Sequence, residues 1–265
     1  MKKFVKILAV VMAVVLSATV LFACGGKETN GDTTTAAPAA DSTTPTAEKL
    51  IMGTNATFPP YEYYEGDKIV GIDAEIAALI AEKLGMELEI KDMDFNGIIS
   101  AVQNGVVTIG MAGMTVNEER LQNVNFSTSY AKGVQVVIVK EGSDIKSLDD
   151  LAGKKIGVQE ATTGDAYASD DFGEENVKRY THGAAAVAAL QSGIVDAVII
   201  DNEPAKAFVQ ANEGLTILET AYADEDYAIA VAKENTELLD KINNALEELK
   251  ADGSIDAIVN KYIPA

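Results

Sequence analysis

Cysteine and histidine occur once each in this chain, as Cys24 and His182, and tryptophan is missing altogether. A single cysteine excludes an internal disulfide and any zinc site built on paired thiolates. A single histidine leaves no His–His metal pair. A Ser-His-Asp nucleophile would have to run through His182, which adjoins Gly183 in an expected loop, solvated or capping a helix. The chain holds no G-x-x-x-x-G-K-[ST] phosphate loop, no G-x-G-x-x-G and no G-x-S-x-G. Paired acids such as Asp149-Asp150 and Asp170-Asp171 are frequent, but at positions that read as solvated faces. No catalytic residue, metal or cofactor is therefore assigned. Basic residues are the other shortage: 21 Lys and Arg stand against 41 Asp and Glu, a net charge of −20. Such a surface repels nucleic acid and anionic headgroups, so no nucleic-acid partner is expected.

Only one long hydrophobic run exists. Lys2, Lys3 and Lys6 precede the almost wholly apolar residues 7–23, too short and wrongly flanked for a stable span. Leu21-Phe22-Ala23-Cys24 resembles the bacterial lipoprotein signal, in which the cysteine is lipidated and becomes the first residue. Residues 1–23 are thus expected to be a signal peptide, and Cys24 a lipid anchor to the outer face of a cell membrane. Residues 1–23 hold three of the basic residues and no acid, so the remainder carries a net charge of −23. Residues 24–48, rich in Thr, Ala, Gly, Pro and Asp with nothing large to bury, read as a disordered tether. A flexible chain of that length reaches roughly 25–30 Å.

From residue 49 onward, strand and helix patterns alternate. Strands are expected at 50–54, 86–90, 107–111, 134–140, 155–159, 177–180, 195–200, 215–218 and 227–232. Helices are expected at 73–84, 95–103, 147–151, from Thr162 onward, at 184–192, at 203–211, at 237–250 and in a last segment to Tyr262. This alternation predicts an α/β fold with mainly parallel sheets, arranged as two small lobes with a cleft between them.

The stretch Ala112-Gly113-Met114-Thr115-Val116-Asn117-Glu118-Glu119-Arg120 follows a strand and opens a helix, with Thr115 and Glu118 at capping-box spacing. Such a corner lies at the carboxyl end of a strand, where open α/β sheets bind ligands, and offers N–H groups, a hydroxyl and a guanidinium. Taken alone it also reads as a plain surface helix start. The wider set matches a free amino acid. Arg120 suits an α-carboxylate, Asp201 at the end of an apolar strand suits an ammonium, and Thr162-Thr163-Gly164 add donors. Phe58, Tyr61 and Phe95 are candidates for aromatic walls. Phe95 fits a core position equally, and Asp201 fits a helix cap.

The chain from Gly53 to Ile263 resembles the polar amino-acid periplasmic-binding-protein family, receptors of ATP-driven uptake systems. The motifs are Gly-Thr-Asn-Ala-Thr-Phe-Pro-Pro-Tyr-Glu-Tyr (53–63), Val-Gly-Ile-Asp-Ala-Glu-Ile (70–76), Met-Asp-Phe-Asn-Gly-Ile-Ile (93–99), the 112–120 corner, Asn-Phe-Ser (125–127), Leu-Ala-Gly-Lys-Lys-Ile-Gly-Val-Gln (151–159), Thr-Thr-Gly-Asp (162–165) and Ile-Ile-Asp (199–201). The resemblance implies two lobes, 49–131 plus 229–265 and 135–225, joined by strand hinges near 130–134 and 226–230. It implies a monomeric, extracytoplasmic, lipid-anchored receptor that closes on a free amino acid and passes it to the permease of an ABC importer. Alternatives on the same fold are a dehydratase-like enzyme and a sensing module. By motif position, Phe58 and Phe95 flank the ligand. The backbone of Ala112 and Gly113 with Thr115 binds its ammonium and carboxylate, Arg120 clamps the carboxylate, Thr162 and Thr163 donate, and Asp201 takes the ammonium. Asn55 stands where basic- and glutamine-binding members often have Asp, and Gln159 where some glutamine binders have Lys. Two neutral amides predict a neutral polar or small ligand side chain, with Glu160 and Asp165 facing water.

Overall fold

A computed structural model describes residues 48–219 and 221–264. The expected signal peptide, Cys24 and nearly all of the expected tether lie outside the described residues. Two sheets dominate. The first runs, edge to edge, through Glu87–Asp92, Lys49–Thr54, Ile109–Gly110, Ala230–Ala232 and Val124–Phe126. The second runs through Val177–Tyr180, Ile156–Gln159, Ala197–Asp201, Ala131–Lys140 and Leu215–Ile217. A small hairpin sheet, Thr57–Phe58, Glu62–Glu65 and Lys68–Val70, sits at the first lobe's mouth. The parallel pairing expected from strand–helix alternation fills one half of each large sheet. The other half is antiparallel, because the strands that carry the chain between lobes return in the opposite sense.

The helix Ile72–Leu84 shows how sequence sets an element. Ile72, Ile76, Ala77 and Ile80 fall on one face and are buried, and Gly85 ends it in a left-handed conformation that costs glycine little. It packs against Thr236–Ala251 and Ser254–Tyr262 over the first sheet. The continuous apolar run 134–140 lies within Ala131–Lys140, in the middle of the second sheet. Other expected elements are shorter than their patterns. Of 107–111 only Ile109–Gly110 is strand, since each neighbour meets it at two positions alone. The 95–103 helix begins as a 3-10 turn, Phe95–Gly97, before Ile98–Gln103. The 147–151 segment is a 3-10 turn, Leu148–Leu151, closed by a Ser147–Asp150 capping box.

The chain crosses between sheets twice, after Phe126 into Ala131–Lys140 and after Tyr227 into Ala230–Ala232. The first half of Ala131–Lys140 pairs with Ala223–Tyr227, from Ala131 opposite Tyr227 to Gln135 opposite Ala223. The connection between lobes is therefore a two-stranded antiparallel ribbon.

Candidate functional site

Loops at the carboxyl ends of the strands converge on a cavity between the lobes. From the first lobe come Asn55 and Phe58 after Lys49–Thr54, Phe95 at its 3-10 turn, Ala112, Gly113 and Thr115 after Ile109–Gly110, and Arg120 on Glu118–Asn123. From the second come Gln159 at the end of Ile156–Gln159, Thr162 and Thr163 at the start of Thr163–Phe172, and Asp201 at the end of Ala197–Asp201. These eleven residues read from sequence line this one cavity; Tyr61, the other candidate wall, does not and stacks on Phe58 instead. Glu62, which was not among them, lines the cavity too.

Arg120 is the cavity's cation and is only 7% exposed. Its Nη1 donates to the Thr115 carbonyl at 2.7 Å and its Nη2 to the Ala161 carbonyl of the other lobe at 3.0 Å. Its guanidinium carbon lies 5.3 Å from the Phe95 ring centroid. Burial pulls its pKa down while Glu225 and Asp201 oppose the shift; the group stays charged. The capping box expected at Thr115 and Glu118 does not form. Asn117 caps the helix, accepting the Arg120 N–H at 2.8 Å. Thr115 is held extended by a bridge to Tyr227, and its hydroxyl donates to Glu225 Oε2 at 2.9 Å.

Gly113 also departs from its expected role. Its N–H donates to Asp73 Oδ2 at 2.9 Å, so that donor is already occupied. Its φ is +53°, and a Cβ there would stand 2.8 Å from Phe58 Cε1. Glycine is thus needed both for the turn and for the ring's approach. In the second lobe Thr162 caps its helix, accepting the Asp165 N–H at 3.3 Å, which leaves the first-turn amides of residues 163 and 164 for an anion.

Acids crowd the opposite side. Asp201 starts the helix Asn202–Ala211 but does not cap it. Its carboxylate accepts from the Tyr227 hydroxyl. Burial, then Glu225, push the Asp201 pKa well above the usual carboxylate range. Glu225 accepts from Thr115 and from Gln135 Nε2, the latter at 3.0 Å. Deeper still, Asp73 Oδ2 accepts from Gly113 and from the Tyr130 hydroxyl at 2.8 Å. Burial raises Asp73 to about 6 and Glu62 well above its usual range, the charge on Asp73 adding to the cost of ionising Glu62, and no donor among the described residues reaches Glu62 Oε2 or Asp73 Oδ1.

Across the cavity the two amides meet: Gln159 Nε2 donates to Asn55 Oδ1 at 3.0 Å, and Asn55 Nδ2 to the Met93 carbonyl at 2.9 Å. Asp165 does not face water as expected. It is 6% exposed and takes Arg179 Nε at 2.8 and 2.9 Å. Glu160 is exposed and accepts from Asn96 at 3.3 Å. Neither lines the cavity. His182 stands at the start of Gly183–Gln191, away from it, and its side chain does not cap that helix.

The family model described as bacterial extracellular solute-binding proteins, family 3, matches residues 50–265. The chain belongs to that family. Its similarity within the solute-binding family runs to the arginine-binding extracellular protein ArtP of Bacillus subtilis, 35% identical, covering 81% of this chain and 86% of that one. The glutamine-binding protein GlnH of Bacillus subtilis is 31% identical over 97% of both. An ancestral arginine-binding protein, solved bound to glutamine and bound to arginine, is 45% identical in each case. The glutamine-bound structure covers 82% of this chain and 98% of its own with a TM-score of 0.78; the arginine-bound one covers 82% and 99% with 0.77. The family and these relatives are amino-acid-binding proteins of ABC importers. The amino acids they bind include arginine, a broader class than the neutral side chains expected from Asn55 and Gln159.

Proposed function

We propose that this chain is a lipid-anchored receptor that closes on a free amino acid and hands it to the permease of an ABC importer without turning it over. One observation carries the reading: a single buried guanidinium, Arg120, and the buried carboxyl of Asp201 line one cavity that an amide pair completes, with Glu225 behind Thr115. That is the charge pattern of a zwitterion with a polar side chain. In this reading Arg120 and the amides of residues 163 and 164 take the α-carboxylate. Asp201, with the carbonyls of the Ala112–Gly113 segment, takes the ammonium. Phe58 and Phe95 flank the ligand. Closure removes water and strengthens each contact. Lobe one is residues 49–131 plus 229–265 and lobe two 135–225.

The ligand's side chain meets Asn55 and Gln159, whose amide oxygens accept from N–H donors. Both arginine and glutamine end in such donors, and both are bound by the 45%-identical relative. A donor-bearing side chain is therefore proposed, with these two as first candidates. Titration calorimetry of the protein against the twenty amino acids tests it. Binding of arginine or glutamine with no consumption of ligand is expected, and binding of none would end the proposal. The anchor is tested apart: Cys24→Ser should leave the membrane fraction or stay unprocessed, and unchanged mass with unchanged membrane retention would remove it.

A further inference from the structure

Three consecutive residues of the second lobe each reach the first lobe. Gln159 donates to Asn55 Oδ1 at 3.0 Å, Glu160 accepts from Asn96 at 3.3 Å, and the Ala161 carbonyl accepts from Arg120 Nη2 at 3.0 Å. The third bond depends on a backbone that alanine adopts rarely. Ala161 has φ +63°, the one non-glycine residue with positive φ among the described residues. Such a conformation persists only where its surroundings enforce it.

The enforcement is visible. The Ala161 N–H donates to Asp165 Oδ2 at 3.1 Å, which fixes the peptide before Ala161, the near side of the turn whose far carbonyl meets Arg120. Asp165 is itself held by Arg179 Nε through both oxygens and by Ser169 Oγ at 3.3 Å. Arg179 is oriented further by Glu174 at 3.1 Å. A charge-assisted pair outside the ligand cavity thus holds the turn whose carbonyl ties Arg120 across the cleft.

We propose that residues 159–161 are a latch that sets how long a closed lobe pair keeps its ligand, and that Asp165 is the residue that positions it. The inference rests on the amino-acid-receptor reading above. Arg120 has two duties in it, clamp for the carboxylate and catch for the latch, so carboxylate binding and lobe closure act on one side chain. Asp165 and Glu160 touch neither the ligand nor the cavity. Their loss should change release and leave capture alone, since the open cleft presents an unchanged set of binding groups.

Stopped-flow measurement of arginine and glutamine association and dissociation tests this on the wild type, Asp165→Ala, Asp165→Asn, Glu160→Ala and Asn96→Ala. Asp165→Ala should raise the dissociation rate about two- to tenfold, the range a lost hydrogen bond supplies, with association within about twofold of wild type. Asp165→Asn keeps an acceptor for the Ala161 N–H and should recover part of the difference. Glu160→Ala and Asn96→Ala change exposed residues and should each speed release alike. Wild-type dissociation from Asp165→Ala and Glu160→Ala overturns the latch. Should Asp165→Ala fail to fold, Glu160→Ala and Asn96→Ala decide. If the wild type binds no amino acid, the receptor reading falls, and small-angle scattering of the ligand-free proteins decides the latch. A larger radius of gyration for the variants supports it, and an unchanged one overturns it.

Discussion

Tyr227 donates its hydroxyl to the Asp201 carboxylate, joining the ribbon between the lobes to the acidic end of the cavity. Its ring is fully buried, stands edge-on to Tyr61 at 5.2 Å and lies over Gly133, where a Cβ would have no room. Tyr227→Phe keeps this packing and removes one donor to the Asp201 carboxyl, which should then hold its proton more tightly still. Ligand affinity at neutral pH should fall, by up to about 1.5 kcal/mol for one lost hydrogen bond. Calorimetry reads it directly, and an unchanged dissociation constant would show that Asp201 holds its place and charge without the phenol.

Arg120→Ala should cost about 2–5 kcal/mol of binding, because it leaves a desolvated carboxylate without its partner. Arg120→Lys should recover only part, since an ammonium presents no planar fork. It also cannot bond the Thr115 and Ala161 carbonyls together in the present geometry. An Arg120→Ala dissociation constant within about twofold of wild type would place the guanidinium outside the ligand's reach, against the bidentate energetics expected here.

The Glu62–Asp73 pair predicts a pH dependence of folding. Asp73 moves from 3.8 to about 6 in the folded chain, chiefly through burial, and burial raises Glu62 well above its usual range too. The folded state therefore holds these protons more tightly than the unfolded state. Their stabilisation is complete below the unfolded values and is lost as pH rises through the folded ones. For Asp73 the window is about pH 4 to 6 and the loss up to about 3 kcal/mol. Glu62→Gln removes one titration and offers Asp73 an N–H, so the decline should flatten. Denaturant unfolding between pH 4 and 8 would show it; parallel pH profiles for the two proteins would refute it.

Asn55→Asp should favour arginine over glutamine. One carboxylate oxygen keeps the donors now on Asn55 Oδ1, from Gln159 and Thr57. The other faces the Met93 carbonyl, an acceptor, and lacks a donor until a cation arrives. A charge-assisted contact is about twice as strong as a neutral one, so the arginine-to-glutamine affinity ratio should rise about tenfold. Competition between the two ligands measures the ratio, and a constant ratio would put the side-chain end of the ligand elsewhere.

Much of the fold and the cavity lining was legible because both depend on local pattern. The helix Ile72–Leu84 shows its buried face as a stripe and its end as Gly85, and most cavity loops follow apolar strands, the Phe95 loop following the alternating strand Glu87–Asp92. What escaped depends on distant pairings. Thr115 had the spacing of a cap, but its hydroxyl belongs to Glu225, 110 residues on, and Asn117 takes the cap. The Gly113 N–H looked free until Asp73 met it across 40 residues. Asp165 read as a solvated acid because charge alone does not reveal a buried partner, here Arg179, and nothing in the sequence singled out the buried Glu62. The left-handed turn at Ala161 carries no glycine to announce it.

The strand Ala230–Ala232 lies inside the first sheet, between Ile109–Gly110 and Val124–Phe126, though it follows the whole second lobe in the chain. Those two neighbours do not pair with each other and must wait for it. The second sheet has no such wait: every one of its strands lies between Ala131 and Tyr227, in one unbroken stretch. During synthesis from the N-terminus the second lobe can therefore assemble while the first still carries unpaired strand edges. The segment from Ala230 onward closes the first sheet and supplies two of the helices that cover it. Completion of the first lobe therefore awaits contacts of long sequence separation, the kind that order slowly.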